Sequence, residues 1–182
     1  YIELQEQSGE RLEYHDGEIF AMAGGSMDHN RIQRATANHL DKLVGGSGCE
    51  VFTSDIRVAT HRAFHYLYPD IVVVCGEIEE NESISNAINN PTMIVEVLSS
   101  STRGYDLGKK QDLYSAIPSL HTYIAIEQDE PKVYVFERTS SGIFDRRWQE
   151  GTSETIRLNH LGFELSLESV YNRVKFPEGF ED

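Results

Sequence analysis

The sequence is poor in the features that define several protein classes. Its 182 residues contain two cysteines, too few for a disulfide-stabilised scaffold or a zinc centre. No apolar run approaches the roughly 18 residues that a membrane helix needs, so we expect a protein that is not integral to a membrane. The sequence has neither a P-loop nor a Gly-x-Ser-x-Gly motif, which argues against the enzyme classes that those motifs define.

Basic residues are also scarce, with 16 lysines and arginines against 30 acids and a formal net charge of −14. Such a balance argues against strong non-specific binding of nucleic acid, because that binding needs lysine and arginine side chains to neutralise the phosphates. The excess of acids lies in residues 1–18, 77–82 and 127–182, whereas residues 19–76 and 83–126 each balance to zero. A functional surface without net charge on an otherwise acidic protein can still bind a polyanion, especially when divalent cations are bound.

The two cysteines, Cys49 and Cys75, adjoin apolar residues of the kind found in strands. Free Cys is among the residues most often buried, and disulfides are rare in the cytosol. We therefore expect buried free thiols in a cytoplasmic protein.

The hydrophobic pattern predicts one α/β domain over residues 1–182, without repeats or a long linker. An Asp16-Gly17 turn signal predicts a hairpin. Helices are predicted from about His29 to Val44, after a cap at Ser26 or Asp28, and over Tyr105–Ala116. The predicted strands are one long alternating strand, two continuous apolar runs and four later strands: Cys49–Ala59, Ile71–Cys75, Thr92–Leu98, Leu120–Ile126, Lys132–Arg138, 143–149 and 154–158. This order predicts one mixed central β-sheet flanked by helices, with extra C-terminal β-strands.

Glu96 is the most informative residue, because it interrupts an apolar run, Met93-Ile94-Val95-Glu96-Val97-Leu98, suited to the middle of a sheet. Burying an ionised carboxylate alone costs several kcal/mol, roughly, or forces its protonation. We therefore expect a cation, a partner or a cleft beside Glu96. Neutralisation by a core arginine or histidine is the alternative.

Asp70 stands directly before the apolar run Ile71-Val72-Val73-Val74. An acid at the mouth of one buried strand and an acid within the next can meet across about one strand spacing, roughly 5 Å. Two carboxylates that close raise a pKa unless a divalent ion lies between them, and oxygen ligands of this kind suit Mg²⁺. The alternative is that Asp70 is only a turn residue after Pro69.

A lysine is the third element of this prediction, since Lys109 and Lys110 lie on the predicted helix after Glu96. Connecting helices pack back over the strand that they leave, so a lysine stem can reach Glu96. A cation beside a bound phosphodiester can orient the attacking water and stabilise developing negative charge. Alternatively, Lys110 forms only a surface i,i+4 pair with Asp106, worth roughly 0.2–0.5 kcal/mol.

Together these residues resemble the PD-(D/E)XK signature of the restriction-endonuclease-like fold. The closer similarity is to a bacterial family of small proteins classed with restriction endonucleases and often present in many copies per genome. The matching stretches extend over nearly the whole chain: Asp16-Gly17-Glu18-Ile19, Gly25-Ser26, His29-Asn30, Ser54-Asp55-Ile56-Arg57-Val58, Tyr68-Pro69-Asp70-Ile71-Val72-Val73, Val95-Glu96-Val97-Leu98-Ser99, Ser101-Thr102, Tyr105-Asp106, Lys110, Tyr114 and Ile117-Pro118-Ser119-Leu120.

The resemblance implies a restriction-endonuclease-like fold, Asp70 and Glu96 as ligands of Mg²⁺, and a lysine that serves the attacking water. Leu98 occupies the position where the core signature has its lysine. The closer family is similar in this respect, with its lysine on the following helix, where Lys110 matches. The resemblance also implies a homodimer.

Three further polar residues are candidates for the same site. Glu18 follows the hairpin turn, where it can supply a third acid. His29 opens a helix, whose main-chain N–H groups favour anions, although a role in the helix cap is the alternative. Asp55 shares a strand face with Arg57 and either pairs with it or lines the cleft.

The leading hypothesis is a Mg²⁺-dependent endonuclease, with Mn²⁺ as a substitute, that hydrolyses DNA phosphodiester bonds through Asp70, Glu96 and Lys110. The metal would lower the pKa of its bound water and polarise the scissile phosphate. One alternative is a catalytically silent module that keeps the fold for dimerisation or regulation, which Leu98 and the net charge of −14 favour. Another is a different hydrolase with a similar acidic site.

Overall fold

The structure is a computed structural model, and it describes residues 1–15, 17–22, 24–60 and 65–177. The turn predicted at Asp16 lies partly outside the described residues. Within them, no helix combines the length and the apolar composition that spanning a membrane requires.

The described helices and strands follow one another along the chain as α1 (Ile2–Ser8), β1 (Leu12–His15), β2 (Glu18–Ala21), α2 (Met27–Val44), β3 (Cys49–Thr53), β4 (Arg57–Ala59), β5 (Tyr66–Leu67), β6 (Ile71–Cys75), β7 (Ala87–Ile88), β8 (Met93–Leu98), α3 (Arg103–Tyr105), a π-helical segment (Asp106–Lys110), α4 (Gln111–Ser115), β9 (Thr122–Glu127), β10 (Lys132–Arg138), β11 (Phe144–Glu150), β12 (Thr155–Leu158), β13 (Phe163–Ser166) and α5 (Leu167–Val170).

A six-stranded mixed sheet forms the centre of the molecule, in the order β11-β10-β9-β8-β6-β3. Strands β8 and β9 are parallel, and the other neighbours are antiparallel. All residues of β8 and β9 are buried, which explains their continuous apolar sequence, since both faces of these strands are covered. The predicted mixed central sheet is therefore confirmed.

The structure has a second sheet of five strands, in the order β2-β1-β5-β4-β7. The prediction of a single sheet is therefore wrong. The predicted long strand Cys49–Ala59 is also wrong. It divides at Ser54, whose φ of 34° lies in the left-handed region, where a regular strand cannot continue. As a result, β3 stays in the six-stranded sheet and β4 pairs in the five-stranded one.

Helices cover both faces of the six-stranded sheet. Helix α2 begins two residues before the predicted start, and the Ser26 hydroxyl caps it by accepting a hydrogen bond from the backbone N–H of His29, at 3.0 Å. Its apolar side packs on one face of the sheet together with α5. Helix α4 and the five-stranded sheet pack on the other face.

The predicted helix Tyr105–Ala116 is not continuous. At Gly108, φ of −123° and ψ of −106° interrupt the helical backbone within the π-helical segment. Here the segment has two buried charged side chains, those of Asp106 and Lys110.

The prediction of free thiols is wrong, because Cys49 and Cys75 form a disulfide. The two residues are direct partners in the antiparallel register of β3 and β6, with their Cα atoms 4.0 Å apart. Direct cross-strand neighbours bring their side chains close enough to bond.

Candidate functional site

Asp70 and Glu96 lie side by side on adjacent strands. Asp70 immediately precedes β6, and β6 pairs with β8 so that Ile71 lies opposite Val95. The backbone N–H of Asp70 approaches Oε2 of Glu96 at 3.4 Å, and Oδ2 of Asp70 accepts a hydrogen bond from the backbone N–H of Val97 at 2.7 Å. Asp70 is thus tied to the neighbouring strand, and the alternative of a simple turn residue is wrong.

Lys110 is buried against Glu96. Its Nζ lies 2.9 Å from Oε1 of Glu96 and 3.0 Å from Oε1 of Glu13, and it donates to the carbonyl of Tyr68 at 3.3 Å. Lys110 is 2% exposed, so the alternative of a surface pair with Asp106 is wrong. The other candidate, Lys109, is exposed.

Several acidic side chains lie near Lys110. Four carboxylates, those of Glu13, Asp70, Glu96 and Asp106, interact electrostatically with this one lysine or with each other. Burial raises the pKa of Glu96 well above its usual value, and the positive charge of Lys110 offsets only part of that rise. Burial opposes the charge on Lys110, but the carboxylates of Glu96 and Glu13 outweigh it and raise the pKa of the lysine. The lysine is therefore charged, and it shares the buried network with several carboxyl groups.

Two residues of this network carry no role in the sequence prediction. Glu13 is a buried acid of β1, and its Oε1 also accepts the backbone N–H of Tyr68 at 2.9 Å. Tyr114 donates its hydroxyl to Oε1 of Glu96 at 3.1 Å. An acid flanked by apolar residues in a strand is the signal that identifies Glu96, and Leu12-Glu13-Tyr14 contains the same signal in a shorter form.

Helix α2 contributes two side chains to Asp70. Nε2 of His29 lies 3.2 Å from Oδ2 of Asp70, so its ring reaches the site in addition to the cap contact of its backbone. Burial lowers the pKa of His29, but the hydrogen bond to Asp70 and its negative charge outweigh that effect and raise the pKa. Gln33 donates to the backbone carbonyl of Asp70 at 2.8 Å and to the hydroxyl of Ser54.

The position of the His29 ring depends on the glycine before the helix. A Cβ atom at Gly25 would lie 2.7 Å from Nδ1 of His29. The lack of a side chain at Gly25 therefore leaves the room in which the ring turns towards Asp70.

The sequence matches the Uma2 family, described as "Putative restriction endonuclease", over residues 1–168. The chain belongs to the Uma2 family. A relative from Synechocystis sp. (strain ATCC 27184 / PCC 6803 / Kazusa), "Uncharacterized protein sll1609", is 34% identical over 148 residues, 81% of each chain. "Uncharacterized protein slr1290" of the same organism is 30% identical over 183 residues, 97% of this chain and 91% of the relative.

A solved structure has the same fold as this Uma2 chain. It is the crystal structure of "a putative nuclease belonging to DUF820" from Anabaena variabilis ATCC 29413, with a TM-score of 0.72, 18% sequence identity and 90% of both chains covered. The predicted family resemblance and the predicted restriction-endonuclease-like fold are both confirmed.

The remaining predicted site residues of this Uma2 chain lie on exposed segments. Glu18 is exposed on the edge strand β2. Asp55 is exposed in the turn between β3 and β4. Arg57, its predicted partner, donates to the carbonyl of Ser85 at 2.6 Å, and its guanidinium lies 5.1 Å from the ring centroid of Tyr68.

The donor set determines which metal this site can accept. Among the described residues, no three His, Cys, Asp or Glu side chains are grouped to hold one ion. Asp70 and Glu96 supply a pair of hard oxygen donors, and Mg²⁺ commonly takes one or two carboxylates while keeping several waters. These two residues therefore fit a magnesium site of the two-carboxylate kind.

Proposed function

We propose that this Uma2 protein is a Mg²⁺-dependent endonuclease that hydrolyses DNA phosphodiester bonds, with Mn²⁺ as a working substitute. The observation that carries the proposal is the position of Asp70 beside Glu96, whose Oε2 lies 3.4 Å from the backbone N of Asp70, next to the buried ammonium group of Lys110. The description of the family as restriction endonucleases supports it.

Asp70 and Glu96 would hold the metal, which when bound lowers the pKa of a coordinated water and polarises the scissile phosphate. The Asp70 side chain is 17% exposed and that of Glu96 is 4% exposed, so solvent and substrate reach Asp70 first. Val97 and His29 orient the Asp70 carboxylate through Oδ2. Asp70 is thus held in place while it remains open to solvent.

Lys110 has a different role in this proposal from the one expected from the sequence. An ammonium group has three N–H donors, and three acceptors surround this one: Glu96, Glu13 and the carbonyl of Tyr68. No donor is left for an attacking water in this arrangement. We therefore assign Lys110 as a positioning residue that fixes and neutralises Glu96.

Calorimetric titration with Mn²⁺ tests the metal site independently of any DNA substrate. Wild type is compared with Asp70→Asn and with Asp112→Asn, which removes an exposed acid from α4. We expect saturable binding in the wild type and in Asp112→Asn, and its loss in Asp70→Asn. Absence of binding to the wild type would contradict the proposal and favour the catalytically silent module for dimerisation or regulation.

Cleavage of supercoiled plasmid DNA with Mg²⁺ is the second test. Nicking by the wild type that is lost in Asp70→Asn and kept in Asp112→Asn supports hydrolysis at this site. Equal nicking by all three proteins would assign the activity to a contaminant or to another part of the molecule.

A homodimer and a cytoplasmic location belong to the same proposal, because the family resemblance implies the first and a DNA substrate the second. The disulfide between Cys49 and Cys75 removes the argument from free thiols. Analytical ultracentrifugation checks the dimer, and cell fractionation checks the location.

A further inference from the structure

Strands β10 and β11 extend the six-stranded sheet beyond the candidate site. The strand register aligns Glu96 with Ala125, Ala125 with Tyr134, and Tyr134 with Trp148. Because direct partners in neighbouring strands point to the same side, Glu96 and Trp148 belong to one face of the sheet. Three strand spacings separate them, roughly 14 Å.

Basic and aromatic side chains alternate on this part of the sheet. The Arg146 guanidinium lies 5.2 Å from the ring centroid of Tyr134 and 5.9 Å from that of Phe136. Nζ of Lys132 lies 5.6 Å from the Tyr134 ring and 6.0 Å from the Trp148 ring. We call the surface formed by Lys132, Tyr134, Arg146 and Trp148 the β10–β11 face.

The β10–β11 face continues towards the site through Arg103. This arginine follows β8, donates to the hydroxyl of Tyr134 at 3.0 Å and pairs with Glu127 at 2.8 Å. Glu127 ends β9, where the register aligns it with Leu98 of β8. A continuous row of polar contacts therefore connects the end of β8 with the β10–β11 face.

The charges of this face are only partly balanced. Lys132 pairs with Glu150, and Arg103 pairs with Glu127. Arg146 is exposed, and no ion pair to it occurs within the described part of the chain. Glu130 also acts on Lys132, so the face carries charges of both signs, and Arg146 is its exposed cation without an ion pair among the described residues.

The exposure of Trp148 indicates that the β10–β11 face does more than shield buried aromatic rings from water. The stems of lysine and arginine commonly shield aromatic rings from water, and Lys132 and Arg146 do so for Tyr134, which is 5% exposed. Trp148 nevertheless remains 55% exposed. An open indole ring beside cations is the combination that binds single-stranded nucleic acid, in which bases stack on rings and phosphates contact basic groups.

We propose that the β10–β11 face binds a single-stranded segment of DNA, with a base stacked on Trp148 and a phosphate held by Arg146. This inference rests on the proposed function and specifies its substrate, a DNA with an unpaired segment. A ring on a sheet surface stacks only on a base whose face is open, which favours a single strand over a duplex. The β10–β11 face lies three strand spacings, roughly 14 Å, from Glu96.

Trp148 provides the test, because it is the single tryptophan of the chain. Wild type in EDTA, which prevents cleavage, is titrated with an oligothymidylate of about 12 nucleotides, a length within the site sizes known for such surfaces. We expect saturable quenching of the Trp148 fluorescence. Anisotropy of a labelled oligothymidylate then measures the variants, and Trp148→Ala is expected to weaken binding about 5- to 150-fold.

Arg146→Gln is expected to weaken binding and to reduce the slope of log affinity against log salt by about one. The matched control is Arg147→Gln, the next residue of β11, whose guanidinium lies on the opposite face and pairs with Glu137. We expect its affinity and salt slope to equal those of the wild type. Unfolding midpoints of all variants check that the fold is retained.

The outcomes separate this inference from the nuclease proposal. Quenching and an Arg146-dependent salt slope without any metal-dependent cleavage support the β10–β11 face and contradict the nuclease. Metal-dependent cleavage without quenching, together with the same affinity and salt slope for Arg146→Gln and Arg147→Gln, overturns DNA binding at the β10–β11 face. The nuclease proposal then stands alone. Quenching by a duplex of the same length but not by oligothymidylate overturns the assignment of a single strand.

Discussion

Replacement of Lys110 by methionine probes the buried charges directly. The side chain keeps similar length and apolar bulk but loses the ammonium group, which lies 2.9 Å from Glu96 and 3.0 Å from Glu13. Removal of one partner of a buried ion pair costs about 3–5 kcal/mol, because it leaves the other charge uncompensated. We expect Lys110→Met to lose that much of the free energy of unfolding, a large share of the roughly 5–15 kcal/mol of a typical domain.

A second calculation gives the same scale. A buried carboxylate without its cation can instead take up a proton. A carboxyl has an ordinary pKa of about 4.3, and each pH unit above it adds about 1.4 kcal/mol to the free energy of protonation. At pH 7, protonation therefore costs roughly 3.7 kcal/mol. The two figures agree in scale, and we expect Glu96, whose pKa burial already raises, to take up the proton in Lys110→Met.

The free energy of unfolding that is lost in Lys110→Met is expected to depend on pH. In Lys110→Met the folded-state pKa of Glu96 rises further, because the lowering effect of Lys110 is gone. A carboxyl with a raised folded-state pKa binds a proton that the unfolded chain does not, so stability increases as the pH falls through that range. The difference from the wild type should therefore shrink as the pH falls towards the ordinary carboxyl pKa of about 4.3, by up to about 1.4 kcal/mol per unit.

Urea denaturation at several pH values measures the effect, with Lys109→Met as the matched control. Lys109 is exposed, and its replacement should cost less than about 1 kcal/mol. A loss in Lys110→Met equal to that of the control, or the same at all pH values, would refute the argument that Lys110 compensates buried carboxylates.

Three further substitutions test other contacts of the structure. Replacing both Cys49 and Cys75 by serine, which opens a bridge between residues 26 apart, should cost about 3.5 kcal/mol by the chain-entropy account, measured by urea denaturation. Arg138→Met should cost about 2 kcal/mol, read as a lower melting temperature, because its guanidinium donates to four backbone carbonyls. Tyr114→Phe should cost about 1.5–3 kcal/mol in the same assay, since Glu96 loses a buried donor.

Each of these three expectations has a result that contradicts it. Reduction of the wild type with dithiothreitol should reproduce the loss seen in the serine variant, and an unchanged urea midpoint after reduction would count against a stabilising bridge. An unchanged melting temperature in Arg138→Met would show that solvent replaces its backbone contacts. Tyr114→Phe as stable as the wild type would mean that its hydroxyl contributes nothing to Glu96.

The long buried strands could be predicted from the sequence, and the short strands could not. Ile71–Cys75 and Lys132–Arg138 have the predicted bounds, because a run buried on the sheet needs consecutive or alternating apolar residues. Strands of two residues, such as Tyr66–Leu67 and Ala87–Ile88, are too short to show a period. Two of the five strands of the second sheet are of this length, and the break at Ser54 depends on a backbone angle that no side-chain pattern reports.

The charged centre of the candidate site was predictable for a related reason. Glu96 and Asp70 stand in or beside apolar runs, and burial forces such groups to find partners. Gln33 and Tyr114 are uncharged, so their sequence positions indicate ordinary helix residues, and only tertiary packing brings them to the acids. Glu13 lies in a four-residue hairpin strand, which is short enough to pass for a solvated surface segment.

The position of Lys110 has a consequence for how the molecule assembles. Its ammonium group joins Glu13 of the five-stranded sheet to Glu96 of the six-stranded sheet. Neither sheet alone can complete this cluster, so it forms only when the two sheets dock during folding. A chain in which the two sheets have not docked therefore lacks the ion pair between Lys110 and Glu13, and Lys110 gains its full set of partners only in the folded molecule.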